Sequence, residues 1–210
     1  MAPLPSLRLA ELLTSRICHD LITPIGAIQT GLELFSEIPS SHDEESKEIL
    51  TLIVQSAQTA STLASFFRAA FGRSGDSLSS IEIKAIVDAY FTHSKLKVQW
   101  EDSIETVALK GWGRLFLNAV LWINECAPRG GDLHVFSLPD ASGLEFRLKA
   151  DLLILHEGTL NILEGTSTGQ EFTPRVAPCY LIRHLMDERK GTLIVHHSLS
   201  PATLTLTLKV

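Results

Sequence analysis

The chain has 210 residues, of which 45% are hydrophobic and 20% charged, enough for one large or two small domains with a buried core. Its formal net charge of −6 argues against a nucleic-acid partner, because phosphate backbones require clustered Lys and Arg. Three widely separated cysteines favour free thiols, and the cysteines and histidines lack metal-site spacing. With no signal peptide and no apolar stretch long enough to span a membrane, we expect a soluble, cytoplasmic protein whose partners are proteins.

The first predicted element is a long helix that begins near Ser6 and ends near Ser36. Its apolar residues recur in steps of three and four, as in a helix packed along one face. These residues are Ile17, Leu21, Ile25, Ile28, Leu32 and Phe35. His19 lies off this stripe and next to Asp20, so we expect its ring to face outward. One ring nitrogen could then attack a substrate while the carboxylate orients the ring through the other nitrogen.

A second helix is predicted from Asp43 to Gly72, antiparallel to the first. Its apolar seam consists of Leu50, Ile53, Ala57, Ala60, Ala64, Phe67 and Phe71. Further apolar residues, such as Val54 and Phe66, lie beyond this seam and need another partner. We therefore expect a homodimer in which two hairpins form a four-helix bundle. The alternative is a monomer whose hairpin packs on its own C-terminal domain.

The remaining chain changes pattern after a stretch rich in Gly and Ser. We divide the sequence into a helical hairpin at residues 1–73, a linker at 74–80 and an α/β sandwich at 81–210. The sandwich is predicted to place its helices on one face of a mixed sheet. Its predicted helices lie at 81–93, 112–126 and 175–189, and its strands at 97–101, 133–138, 144–152, 192–198 and 203–210. The fold class expected for the whole chain is α+β.

The run His-Asp-Leu-Ile-Thr-Pro-Ile at His19 resembles the phosphoacceptor box of two-component histidine kinases. The longer run from Arg16 to Ala27 resembles the ChpT-type histidine phosphotransferases of bacterial phosphorelays. The resemblance implies that His19 carries a phosphoryl group between the aspartates of two receiver domains, with Asp20 assisting. The expected partners are response regulator receivers and the receiver of a hybrid histidine kinase. By the same resemblance, the receiver supplies the magnesium, the acidic pocket and a lysine.

The order of the later elements resembles the ATP-binding domain of histidine kinases, although the glycines that bind nucleotide are missing. The region that should form an Asp-x-Gly-x-Gly turn has no glycine at 149–155, and Val-Ala-Pro-Cys occupies the later phosphate loop at 176–179. Glycine permits the close backbone approach that such loops require. Asn118 and Asp151 are either remnants of the nucleotide site or ordinary surface or capping residues. We predict that the fold is retained without ATP, another cofactor or a metal ion.

Thr23, Gly26 and Thr30 continue the face of His19 along the helix, and all three are small. A glycine inside a helix costs about 1 kcal/mol relative to alanine, so Gly26 is easier to explain if a partner comes close there. We expect a receiver helix along this stripe, with Arg16 meeting an acidic partner surface. The alternative for Gly26 is a close helix contact within the bundle.

Two rival functions remain open at this point. One is an ATP-dependent histidine kinase core fragment, which the missing glycines oppose. The other is a non-enzymatic dimer that only docks receiver domains.

Overall fold

The computed structural model describes residues 6–38, 43–92, 94–101, 111–139, 142–156, 158–167 and 173–210. In these ranges the helices are α1 (Ser6–Glu37), α2 (Asp43–Phe71), α3 (Ser80–Phe91), α4 (Gly113–Cys126), α5 (Thr159–Glu164) and α6 (Ala177–Glu188). The strands are β1 (Leu96–Trp100), β2 (Gly131–Ser137), β3 (Gly143–Ala150), β4 (Thr192–Leu199) and β5 (Ala202–Lys209). Short 3₁₀ turns span Arg73–Ser77 and Pro174–Val176. The architecture is α+β, as predicted.

The sheet has the strand order β1-β2-β3-β5-β4. Strands β1 and β2 are parallel, and the other neighbouring pairs are antiparallel, so the sheet is mixed as expected. A parallel pair needs a crossover connection, and α4 lies in the chain between β1 and β2. The register aligns Leu133, Leu148 and Leu204 in one buried row, and α4 and α6 share the same core. The predicted strand bounds agree with the structure to within two residues.

Helix α5 is the element that the sequence patterns missed. It has only six residues, which is too short to show a helical period. Gly158 and Gly165 flank it with φ angles of 82° and 77°, a left-handed conformation that glycine adopts at little cost. Paired glycines are the local signal that such a short helix leaves in a sequence.

The contact between α1 and α2 differs from the predicted seam. Small or compact residues bring the helices together, and Gly31 lies so close to α2 that an added Cβ would be 2.6 Å from Cγ1 of Ile53. Pro24 and Ser56 are also buried. Several of the large apolar residues assigned to the seams are instead exposed on the single chain, namely Ile25, Leu32, Phe35 and Leu50. Periodicity identified the apolar stripe but not which of two adjacent faces meets the neighbouring helix.

The end of the hairpin opposite the α1–α2 connection, where α2 finishes, packs directly on the C-terminal domain. Phe66, Phe67 and Ala70 of α2 belong to the same buried core as α4 and the sheet. Much of the predicted linker forms the 3₁₀ turn Arg73–Ser77, in which Gly75 is buried. Asp76 in this turn accepts a hydrogen bond from Nε of Arg114 at 2.7 Å. This segment is therefore a packed junction that joins this end of the hairpin to the C-terminal domain of the same chain.

Candidate functional site

His19 lies on an open face of α1 and its side chain is 75% exposed. Its Nδ1 is 2.9 Å from Oδ1 of Asp20, the next residue along the helix. Since a carboxylate only accepts hydrogen bonds, this contact makes Nδ1 the protonated ring nitrogen. The lone pair then resides on Nε2, the nitrogen suited to nucleophilic attack. The geometry agrees with the orientation expected from the sequence.

Asp20 is held in turn by a buried arginine. Nε of Arg16 donates to Oδ2 of Asp20 at 2.8 Å, one helical turn away on α1. Nη1 of the same guanidinium donates to Oε1 of Glu125, which lies near the end of α4. The four side chains form a continuous series of contacts that runs from His19 through Asp20 and Arg16 to Glu125. This series of contacts joins the helical hairpin to the C-terminal domain.

Burial and the paired charges determine the pKa values of Arg16 and Glu125, the two inner members of this series of contacts. The side chain of Arg16 is 9% exposed and that of Glu125 is 12% exposed. Burial alone would lower the pKa of Arg16, but the nearby carboxylates of Glu125 and Asp20 outweigh it and raise that pKa. The guanidinium is therefore a permanent charge between two carboxyl groups. Burial raises the pKa of Glu125, and the attraction of Arg16 offsets only part of that effect.

The structure corrects the role expected for Arg16. The sequence suggested a side chain that meets an acidic partner surface, but the guanidinium is buried and paired within the chain. The pairing with Asp20 follows the spacing of four residues on one helix. The pairing with Glu125 could not be read from the sequence, because the two residues are 109 positions apart. The one signal in the sequence is that Glu125 is the only acidic residue of the mostly apolar helix α4.

His19 also faces a cleft of about 660 Å³ between α1 and the C-terminal domain. One wall consists of Arg16, His19 and Asp20. The opposite wall includes Glu125, Pro128, Ile154, His156, Pro174 and Arg175. Partial burial and the neighbouring charge of Arg175 lower the pKa of His156, which favours its neutral form. The cleft was not anticipated, because it depends on how the hairpin packs on the sandwich.

The small residues that continue the face of His19 are accessible along α1. Thr23 and Thr30 are exposed. A Cβ added to Gly26 would have no heavy atom within 4 Å, apart from its own helix and chain neighbours. Within one chain, the glycine that makes the close helix contact is Gly31 rather than Gly26. The stripe formed by Thr23, Gly26 and Thr30 therefore lies on an open surface.

Most of the residues that were compared with a kinase nucleotide site are packed inside the protein. Asn118 is fully buried, and its amide donates to the backbone oxygens of Ala70 at 2.7 Å and Arg114 at 2.8 Å. It therefore ties α4 to the last turn of α2, and its amide nitrogen does not face a ligand. Asp151 is exposed just after β3. The four residues at 176–179 are buried where α6 begins, so no open phosphate loop exists there.

The described part of the chain contains no group of three or more His, Cys, Asp or Glu side chains placed to hold a metal ion. None of the helices seen in those ranges combines the length and apolar character that a membrane crossing requires. Cys18, Cys126 and Cys179 are all free thiols, as predicted.

Residues 80–199 match the family model for the histidine phosphotransferase C-terminal domain. The chain belongs to this family. The protein phosphotransferase ChpT of Brucella abortus (strain 2308) is 38% identical over 135 residues, which are 63% of this chain and 62% of ChpT. The alignment thus spans less than two thirds of that relative. These findings confirm the ChpT-type resemblance recognised around His19.

A solved structure described as a bacterial phosphotransferase extends the comparison to nearly the whole chain. It superposes with a TM-score of 0.78 at 28% identity and covers 98% of both chains. The similarity therefore includes the hairpin that carries His19 as well as the sandwich matched by the family model. The histidine kinase AdeS of Acinetobacter baumannii gives a TM-score of 0.40 at 14% identity over 91% of this chain and 96% of its own.

Proposed function

We propose that this protein carries a phosphoryl group from the aspartate of one receiver domain to the aspartate of another, through a phosphohistidine on His19. Membership of the histidine phosphotransferase family supports the reaction class. The observation that carries the assignment of the residue is the exposed ring of His19, with Nδ1 held by Asp20. The proposed partners are response regulator receivers and the receiver of a hybrid histidine kinase.

The proposed chemistry balances without an outside proton. The lone pair on Nε2 of His19 attacks the phosphorus of an aspartyl phosphate in line with the bond that breaks. The new N–P bond replaces the P–O bond, and the aspartate leaves as a carboxylate. The proton on Nδ1 stays in place, where Asp20 stabilises the positive ring by a charge-assisted hydrogen bond. The second receiver's aspartate reverses these steps.

This chain contributes position rather than a metal ion. By the family resemblance, the receiver brings the magnesium that neutralises the phosphoryl charge. Holding the two reacting groups in line accounts for a large part of the rate in phosphoryl transfer. His19 opens on a cleft beside α1, which gives the incoming phosphoryl group room to approach Nε2.

We also propose that two hairpins associate into a four-helix bundle. The single chain exposes Ile25, Leu32 and Phe35 on α1 together with Leu50 and Val54 on α2. Large exposed apolar residues on both helices of a hairpin favour association, since each would otherwise remain in water. A second copy of the same hairpin offers a matching surface under two-fold symmetry.

Substitution of His19 by alanine is expected to abolish phosphoryl acceptance and leave the fold intact, because the exposed ring makes little packing contact. Asp20→Asn is expected to slow transfer by about 10- to 100-fold, the equivalent of losing one charge-assisted hydrogen bond. The measurement follows ³²P from a receiver charged with acetyl phosphate onto this protein, as label that acid removes and base preserves. Transfer to the His19→Ala variant at the normal rate would contradict the assignment. A wild-type protein that binds receivers without taking label would support the scaffold instead.

Gly26→Arg is expected to weaken receiver binding at least 10-fold, because a long charged side chain would stand where a receiver helix comes close. Gly26→Ala is the matched control, since a Cβ meets nothing there and alanine favours the helix by about 1 kcal/mol. Calorimetric titration with a receiver measures binding, and thermal unfolding measures stability. Loss of the dimer or of cooperative melting in Gly26→Arg would place Gly26 in the bundle core instead.

The dimer is expected to persist at micromolar concentration in light scattering. Leu32→Lys should give a folded monomer, because a charge would replace an apolar residue at the centre of the proposed contact. Ile194→Lys serves as the control, since Ile194 is also exposed but lies on β4 of the sheet. A wild-type mass equal to one chain would refute the proposal.

Calorimetry with millimolar ATP and magnesium is expected to show no binding. The amide of Asn118 is buried and already bonded to the backbone, so it does not face a nucleotide. Residues 176–179 are packed where α6 begins and do not form an open loop around phosphates. Saturable, magnesium-dependent binding would favour the histidine kinase fragment over the phosphotransferase.

A further inference from the structure

We infer that Glu125, in the C-terminal domain, is a positioning residue for the phosphoacceptor histidine on α1. It acts through Arg16 and Asp20, which together set the tautomer and direction of the His19 ring. The inference rests on the proposed function for its effect on rate. Its effect on the ring can be measured separately.

The contacts between His19, Asp20, Arg16 and Glu125 restrict the position of each side chain. Asp20 uses Oδ1 for His19 and Oδ2 for Arg16, so both carboxylate oxygens are engaged. Arg16 uses Nε for Asp20 and Nη1 for Glu125, from the same planar guanidinium. A planar fork that bridges two carboxylates has little rotational freedom. The position of Asp20 therefore depends on Glu125 as well as on α1.

The burial of the two inner members makes this restraint strong. A fully exposed Arg–Asp pair four residues apart on a helix would contribute only a few tenths of a kcal/mol. Glu125 instead meets Arg16 where both side chains are about nine-tenths buried. If Arg16 turned away into solvent, the buried carboxylate of Glu125 would lose its partner. Because an unpaired buried charge is costly, Arg16 stays in place. Arg175 lines the same cleft as Glu125, and its positive charge favours the ionised form of that carboxyl group.

The consequence for His19 concerns which nitrogen carries the proton. While Asp20 is held, its carboxylate accepts the proton on Nδ1, and Nε2 keeps its lone pair. When Asp20 is released, the ring can take the other tautomer, in which Nε2 bears the proton and cannot attack. The C-terminal domain, in which residues 176–179 are packed rather than open, would in this way take part in the reaction by fixing the nucleophile on the neighbouring hairpin.

The test compares Glu125→Gln with Asp76→Asn in the full chain. Glu125→Gln keeps the shape of the side chain but removes the charge that holds Arg16. Asp76→Asn weakens a half-buried ion pair with Arg114 that also lies where the hairpin meets α4, yet does not contact His19. The readouts are phosphorylation by phosphoramidate, which loses ammonia and needs no receiver docking, and ¹⁵N NMR of the His19 ring.

Glu125→Gln is expected to slow phosphorylation by about 10-fold, as expected for a weakened charge-assisted hydrogen bond. It should also lower the fraction of His19 protonated on Nδ1, while Asp76→Asn changes neither. An unchanged tautomer fraction in Glu125→Gln would overturn the inference, as would equal losses in both variants. If Glu125→Gln does not fold, Arg16→Lys replaces it, because an ammonium cannot supply the planar fork, and it must show the same two losses. If the wild type takes no phosphoryl group, the proposed function fails, and the tautomer result still decides the role of Glu125.

Discussion

The buried guanidinium of Arg16 is the constraint on which the site depends. It lies between Asp20 of its own helix and Glu125 of α4, and therefore belongs to both the hairpin and the sandwich. A charge in this position requires partners on both sides, because an unpaired buried ion would destabilise the fold. That requirement fixes the carboxylate beside His19. The orientation of the exposed His19 ring thus depends on contacts made by buried side chains.

The same junction explains why the hairpin and the sandwich behave as one structural unit at this end. Phe66 and Phe67 join the core of the sandwich, and buried Asn118 ties α4 to the last turn of α2. The other end of the hairpin exposes large apolar residues that the chain itself does not cover. One end therefore carries the contacts of Arg16 with both domains, and the other carries the exposed apolar residues of the proposed dimer contact.

Local patterns predicted most of the fold, and long-range packing accounts for what they missed. Alternating residues located the strands, and helical spacing located α1, α2, α3, α4 and α6, because those signals lie in neighbouring positions. The motif around His19 likewise predicted an outward-facing histidine beside a carboxylate, and the structure places both there. The pairing of Arg16 with Glu125 was out of reach, since it joins residues far apart in the chain. The face on which α1 meets α2 was misjudged because Gly31, rather than the larger apolar residues, sets the closest approach.

We propose that Asp20 holds Nδ1 of His19 and that Nε2 therefore receives the phosphoryl group. NMR of ¹⁵N-labelled protein, phosphorylated by a charged receiver domain, tests this most directly, because coupling between ³¹P and ¹⁵N identifies the bonded nitrogen. The expected result is a single phosphohistidine, with phosphorus bonded to Nε2 of His19 and a proton retained on Nδ1. Phosphorus on Nδ1 of His19, or on any other residue, would contradict it.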